Sequence, residues 1–158
     1  MELFTNFPLW AALFSIFFAQ FIKVPITYIT TKKIDWSLLT STGGMPSSHS
    51  GAVTALATAI ALQEGLGSPL FAIATISGII VMFDATGVRR EAGEHATVLN
   101  KLVMEFQRFV EEAKSWPKKE EFEKRKELKE LLGHQPIEVF FGALSGIFLT
   151  LLLYYLIY

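Results

Sequence analysis

The last 20 residues, Val139–Tyr158 ("VFFGALSGIFLTLLLYYLIY"), carry no formal charge and are apolar almost throughout. A helix of roughly 20 apolar residues, within a range of about 17–25, matches the hydrocarbon thickness of a bilayer. Three more uncharged stretches precede it: Pro8–Ile22, Ser50–Gln63 and Ser68–Phe83. The first continues past Lys23 into "VPITYIT". Ser50–Gln63 is short, but its alanines, glycine and threonines let neighbouring helices approach closely, which places it at the centre of a bundle. The chain is therefore predicted to be an all-α integral membrane bundle of about four spanning helices, with residues 1–158 forming one membrane domain. Composition agrees, since 18% of residues are charged where soluble domains carry about a quarter. The start, "MELFTN", has no basic n-region, so the first apolar stretch reads as a retained span rather than a signal peptide.

Four crossings put Lys23, the loop 31–49, the region 84–138 and the start of the last span on one side. All 14 lysines and arginines then fall on that side, which the positive-inside rule assigns to the cytoplasm. A segment at 95–133 is expected to be a soluble-facing helical insertion. Its first part puts Val98, Leu99, Leu102, Val103, Phe106, Phe109 and Val110 on one helical stripe, suited to covering the site or lying on the membrane surface. Its second part, "WPKKEEFEKRKELKELLG", reads as a turn at Pro117 and a charged surface helix, so that the segment forms a hairpin. The balance of 14 basic against 15 acidic residues gives no sign of a nucleic-acid partner, and without cysteine there is no thiolate chemistry.

Three polar clusters converge on the charged side. The first is "GGMPSSHS", with Gly43, Gly44, Ser47, Ser48 and His49 opening the second helix. A helix start with unpaired amides attracts anions. Capping alone explains the serines and the proline, but neither His49 nor the paired glycines. The second is "DATGVRREAGEH", holding Asp84, Arg89, Arg90 and His95. Its arginines read either as a bidentate phosphate clamp or as positive flanks of a span, with Asp84 pairing to one of them. The third is "LLGHQPIEVFFG", where His134 and Glu138 stand four apart and become neighbours if a helix begins near Pro136. A carboxylate beside an imidazole fixes its tautomer and raises its basicity.

These motifs together resemble a known family. "PSSHS" is similar to the Pro-Ser-Gly-His signature of the type 2 phosphatidic acid phosphatases, relatives of the vanadium-dependent haloperoxidases. "GHQPIEVFFGALSG" is similar to their last signature, a histidine followed by a carboxylate, valine and a glycine-spaced helix. "GGMPSSHS", "DATGVRREAG" and "LGH-x-P-x-EV" in one small chain resemble the divergent branch of that superfamily. The resemblance implies a lipid phosphate phosphatase that forms a phosphohistidine without metal or cofactor. His134 would be the nucleophile, Glu138 its orienter and His49 the general acid. Lys23, Ser47, Ser48, Arg89 and Arg90 would hold phosphate, with Gly43, Gly44, Asp84 and His95 in support.

Four positions depart from the family pattern. Lys23 is followed by Thr30 and Thr31 where Arg-Pro is usual, Leu128 replaces an arginine six residues before His134, and Glu138 replaces an aspartate. The departures keep a second reading open, a non-catalytic protein that binds a phosphorylated lipid or acts as an assembly module. A transporter would show inverted repeats or broken spans, and neither is seen. The expected partner is a membrane lipid bearing phosphate. The glycine-spaced "GALSG" also offers a face on which a second copy could pack as a homodimer.

Overall fold

The computed structural model describes residues 2–32, 34, 36–41, 43–113 and 133–157. Its main elements are five helices: α1 (Phe7–Thr31), α2 (Ser48–Glu64), α3 (Pro69–Thr86), α4 (Val88–Ala113) and α5 (Pro136–Ile157). Short 3-10 turns at Glu2–Thr5 and Trp36–Thr40 complete the described elements, none of which is a strand.

Local chemistry sets the helix ends. Asn6 caps α1 by accepting the Leu9 amide at 3.1 Å, and α1 ends where Lys32 turns into the left-handed region at φ 57°. Ser47 and Ser68 cap α2 and α3, and Pro69 occupies the first helical position of α3, where its missing N–H costs nothing. Gly65, at φ 83°, ends α2 and allows the tight turn into α3.

α2 lies at the centre and packs on α5, α1 and α3. Its inward positions are small, with Gly51, Ala55 and Ala59 buried. Gly142 of α5 sits against the Ser47 carbonyl, and Gly146 sits against the Gly51 carbonyl and the Thr54 hydroxyl, so a side chain at either would collide with α2. Thr54 Oγ1 donates across this seam to the Ala143 carbonyl at 3.0 Å. The glycines of this α5 face thus lie against α2 of the same chain.

Burial is inverted relative to a soluble protein. The interior holds Ser15, Ser50, Thr150 and alanines, while Phe17, Phe21, Ile76, Phe83, Phe148 and Tyr155 face outward. Large apolar side chains outside and small or polar ones inside are what a hydrocarbon solvent selects. Among the described residues, three stretches are long and apolar enough to cross a membrane: Phe7–Ile29, Pro69–Glu111 (whose apolar part is α3) and Pro136–Ile157. The molecule is an all-α membrane protein. Of the four expected spans, α2 is the one that length does not establish: its 17 residues reach roughly 25 Å.

α4 begins at Val88, directly after Gly87, rather than near residue 95. The predicted stripe is present on it, with Val98, Leu99, Leu102, Phe106 and Phe109 exposed along one side. The charged half of the insertion, including Leu128, lies outside the described residues.

Candidate active site

His134 stands two residues before α5, and its backbone is fixed first. Its amide donates to the Ala85 carbonyl at the end of α3, at 2.9 Å. Gly133, at φ +84°, lies against the backbone of Arg89 and Arg90, where any Cβ would clash. The chain can therefore turn from the α3–α4 corner into α5 only with glycine here. The corner "TGVRR" is the platform on which the histidine rests, a role for that cluster that its charges alone do not reveal.

The imidazole is fixed next. Nδ1 lies 3.0 Å from Glu138 Oε2, with side chains 1% and 17% exposed. The same carboxylate oxygen accepts the Gln135 amide at 3.1 Å, so Glu138 closes the first turn of α5 while holding the ring. The expected i, i+4 pair is present. A carboxylate accepts, so Nδ1 carries the proton and Nε2 presents its lone pair. Nε2 is buried and has no hydrogen-bond partner among the described residues.

His49 lies opposite, in the first turn of α2, with its ring centroid 5.9 Å from that of His134 and the planes at 62°. α2 and α5 are joined at this point, because the Ser47 amide donates to the Glu138 carbonyl at 3.0 Å. Ser47 serves as the cap: its hydroxyl oxygen accepts the Ser50 amide at 3.3 Å and the Ser50 hydroxyl at 3.1 Å. Ser48 is buried beside it, and its hydroxyl makes no hydrogen bond to another described residue. The first-turn amides of Ser48 and His49 point out of the helix start, as the first donors of any helix do.

Lys23 enters from α1 and is 1% exposed. Its Nζ donates to the Gly43 carbonyl at 2.9 Å, one of three donors, and the other two have no acceptor among the described residues. Gly44, at φ +88°, reverses the chain beside the lysine stem. The Lys23 ammonium lies within electrostatic reach of both Glu138 and His49. An unpaired buried ammonium is costly, so a site built around one is suited to an anion.

The second cluster divides. Arg89 pairs with Asp84, Nε to Oδ2 2.6 Å, and its charge reaches His49. Both partners are about half exposed, and such surface pairs are weak enough to exchange for a better anion. Arg90 instead pairs with Glu94 at 3.1 Å along α4, and His95 is exposed on α4 without a described contact to either site histidine. The structure thus brings together Lys23, Gly43, Gly44, Ser47, Ser48, His49, Asp84, Arg89, His134 and Glu138, and leaves Arg90 and His95 to one side. Ala85 and Gly133 complete the site. The glycine directly before His134, three residues ahead of Pro136, was the available signal for the tight turn. Among the described residues, no group of three or more His, Asp or Glu side chains is arranged to hold a metal ion.

An all-α membrane protein with a carboxylate-held histidine facing a second histidine at a helix start defines the class. Comparison with known proteins narrows it. The Divergent PAP2 family model matches residues 4–149, and the chain belongs to that family. The "Uncharacterized membrane protein YuiD" of Bacillus subtilis (strain 168) is 68% identical over 155 residues, covering 98% of both chains. No solved structure matches the chain.

Proposed function

We propose that the protein removes phosphate from a membrane lipid through a phosphohistidine at His134. The supporting observation is the His134 ring itself: Nδ1 held by Glu138, Nε2 buried and unpartnered, His49 at 5.9 Å. In the first step the Nε2 lone pair attacks phosphorus and the phosphorus–oxygen ester bond breaks. His49, protonated, gives its proton to the departing alkoxide, so a neutral alcohol leaves. In the second step His49 takes a proton from water, whose oxygen attacks phosphorus, and the phosphorus–nitrogen bond breaks to return His134 and release inorganic phosphate. Lys23, Arg89 and the amides of Ser48 and His49 hold the phosphoryl oxygens, where charge builds in the transition state. Glu138 keeps the ring oriented throughout. With four spans and positive-inside orientation, this chemistry takes place at the cytoplasmic surface, where lipid headgroups lie.

The test is phosphate release from a panel of lipid phosphates by detergent-purified protein with chelator present, beside His134→Ala and His49→Ala. Release that survives chelation and is lost in both variants supports the mechanism. Full release by folded His134→Ala refutes it. A second reading, a protein that binds the phosphorylated headgroup without cleaving it, draws on Leu128 standing where the family places arginine and on Arg89 being tied to Asp84. Vanadate binding without turnover on any lipid would favour that reading.

A further inference from the structure

α3 and α5 both pack on α2, yet they touch each other little and leave a cleft of about 370 Å³ between them. That volume falls within the range of small-molecule sites, about 300–1,000 Å³. Its walls are Ile79, Met82 and Phe83 from one helix and Val139, Phe140 and Ala143 from the other. Thr86 and Pro136 line one end. Thr86 is apolar here in effect, because its hydroxyl donates back to the Met82 and Phe83 carbonyls at 3.1 and 3.2 Å. The cleft lies on the outward side of two helices whose neighbouring residues, Ile80 and Phe83 among them, face hydrocarbon.

The end lined by Thr86 and Pro136 adjoins the candidate site. Thr86 follows Ala85, whose carbonyl receives the His134 amide, and Pro136 is two residues after His134. From Thr86 the wall of α3 runs seven residues to Ile79, roughly 10 Å into the bilayer. A buried, anion-seeking end is thus joined to an apolar slot open to lipid. The molecule matching both is an amphiphile with phosphate at one end and a hydrocarbon chain at the other. A second cleft of about 520 Å³, lined by Leu9, Leu56, Ile60 and Gln63, extends toward the opposite end of α2. Gln63 is 14 residues along α2 from His49, roughly 20 Å away.

We propose that the α3–α5 cleft holds the hydrocarbon chain of the phosphorylated lipid whose headgroup lies at His134, so that the lipid enters sideways from the bilayer. This rests on the reading of the His134 site as a phosphate site, and it can fail separately. The probe is a long-chain alkyl phosphonate carrying a diazirine in its chain, photolysed with the full chain in lipid nanodiscs. The control is the same chain ending in trimethylammonium. Phosphonate-dependent labels are expected on Ile79, Met82, Phe140 or Ala143, reduced at least fivefold by Ala143→Phe and by Ile79→Trp. Labels confined to Leu56 and Ile60, labels unaffected by both substitutions, or labels equal to the control would overturn the proposal. Labelling of the cleft by a protein that releases no phosphate from any lipid would refute the enzymatic reading and leave the cleft standing. Phosphate release lost with His134→Ala, combined with labels elsewhere, would do the reverse.

Discussion

α5 meets two neighbours in opposite ways. Against α2 it presents Gly142 and Gly146, and backbones come into direct contact, joined by the Thr54–Ala143 hydrogen bond. Against α3 it presents Val139, Phe140 and Ala143 across an open cleft. Both interfaces lie in the same apolar surroundings, so hydrophobicity does not distinguish them. Side-chain size does: glycine lets helices close and fix a site, whereas bulky residues hold them apart and leave room for a ligand. The closed seam also positions the candidate site, because the Ser47 amide donates to the Glu138 carbonyl there and so sets His49 opposite His134.

Filling the closed seam is the most damaging way to test this contrast. Gly142→Val or Gly146→Val should destabilise the bundle by about 3 kcal/mol, the upper part of the usual overpacking range, read as a lowered midpoint of thermal unfolding in detergent. An unchanged midpoint would mean that the helices are not in contact there. The same volume added to the cleft, as Ala143→Phe, should cost far less stability.

The next effect lies at the joint between seam and site. Glu138→Gln keeps the arm's length but removes the charge that favours Nδ1–H, and should lower phosphate release roughly 10²-fold with little change in KM. A loss carried entirely by KM would assign Glu138 to binding instead. The smallest effect separates the two arginines. Arg89→Ala should lower kcat/KM about tenfold, since Arg89 is one of the cations proposed to hold the phosphoryl oxygens, while Arg90→Ala, paired to Glu94 on α4, should lower it less than about threefold. Equal losses would erase the distinction.

The two interfaces also explain what sequence reading could reach. Runs without charge reveal apolar helices, and four-residue spacing reveals the His134–Glu138 pair, because both are properties of one segment. Lys23 and the helix start at His49 follow from topology, once antiparallel crossings bring segment ends together. The partner of a small-residue face does not follow: the spacing of "GALSG" suits any closely packed helix, and only the three-dimensional packing shows α2 against Gly142 and Gly146. The Ala85 carbonyl was hidden for a related reason. Its role is a backbone contact between distant segments, and no side-chain pattern encodes it. Arg90 suits phosphate by its charge, while its helical position sets it beside Glu94, a pairing that follows from the i, i+4 spacing.

The most direct measurement is a rapid-quench experiment in which the protein turns over a lipid phosphate labelled on phosphorus, followed by base-stable recovery of the protein. The account predicts label held as acid-labile phosphohistidine on the peptide containing His134, and none in His134→Ala. Phosphate release with no labelled protein at any time, or label that persists in His134→Ala, would contradict it.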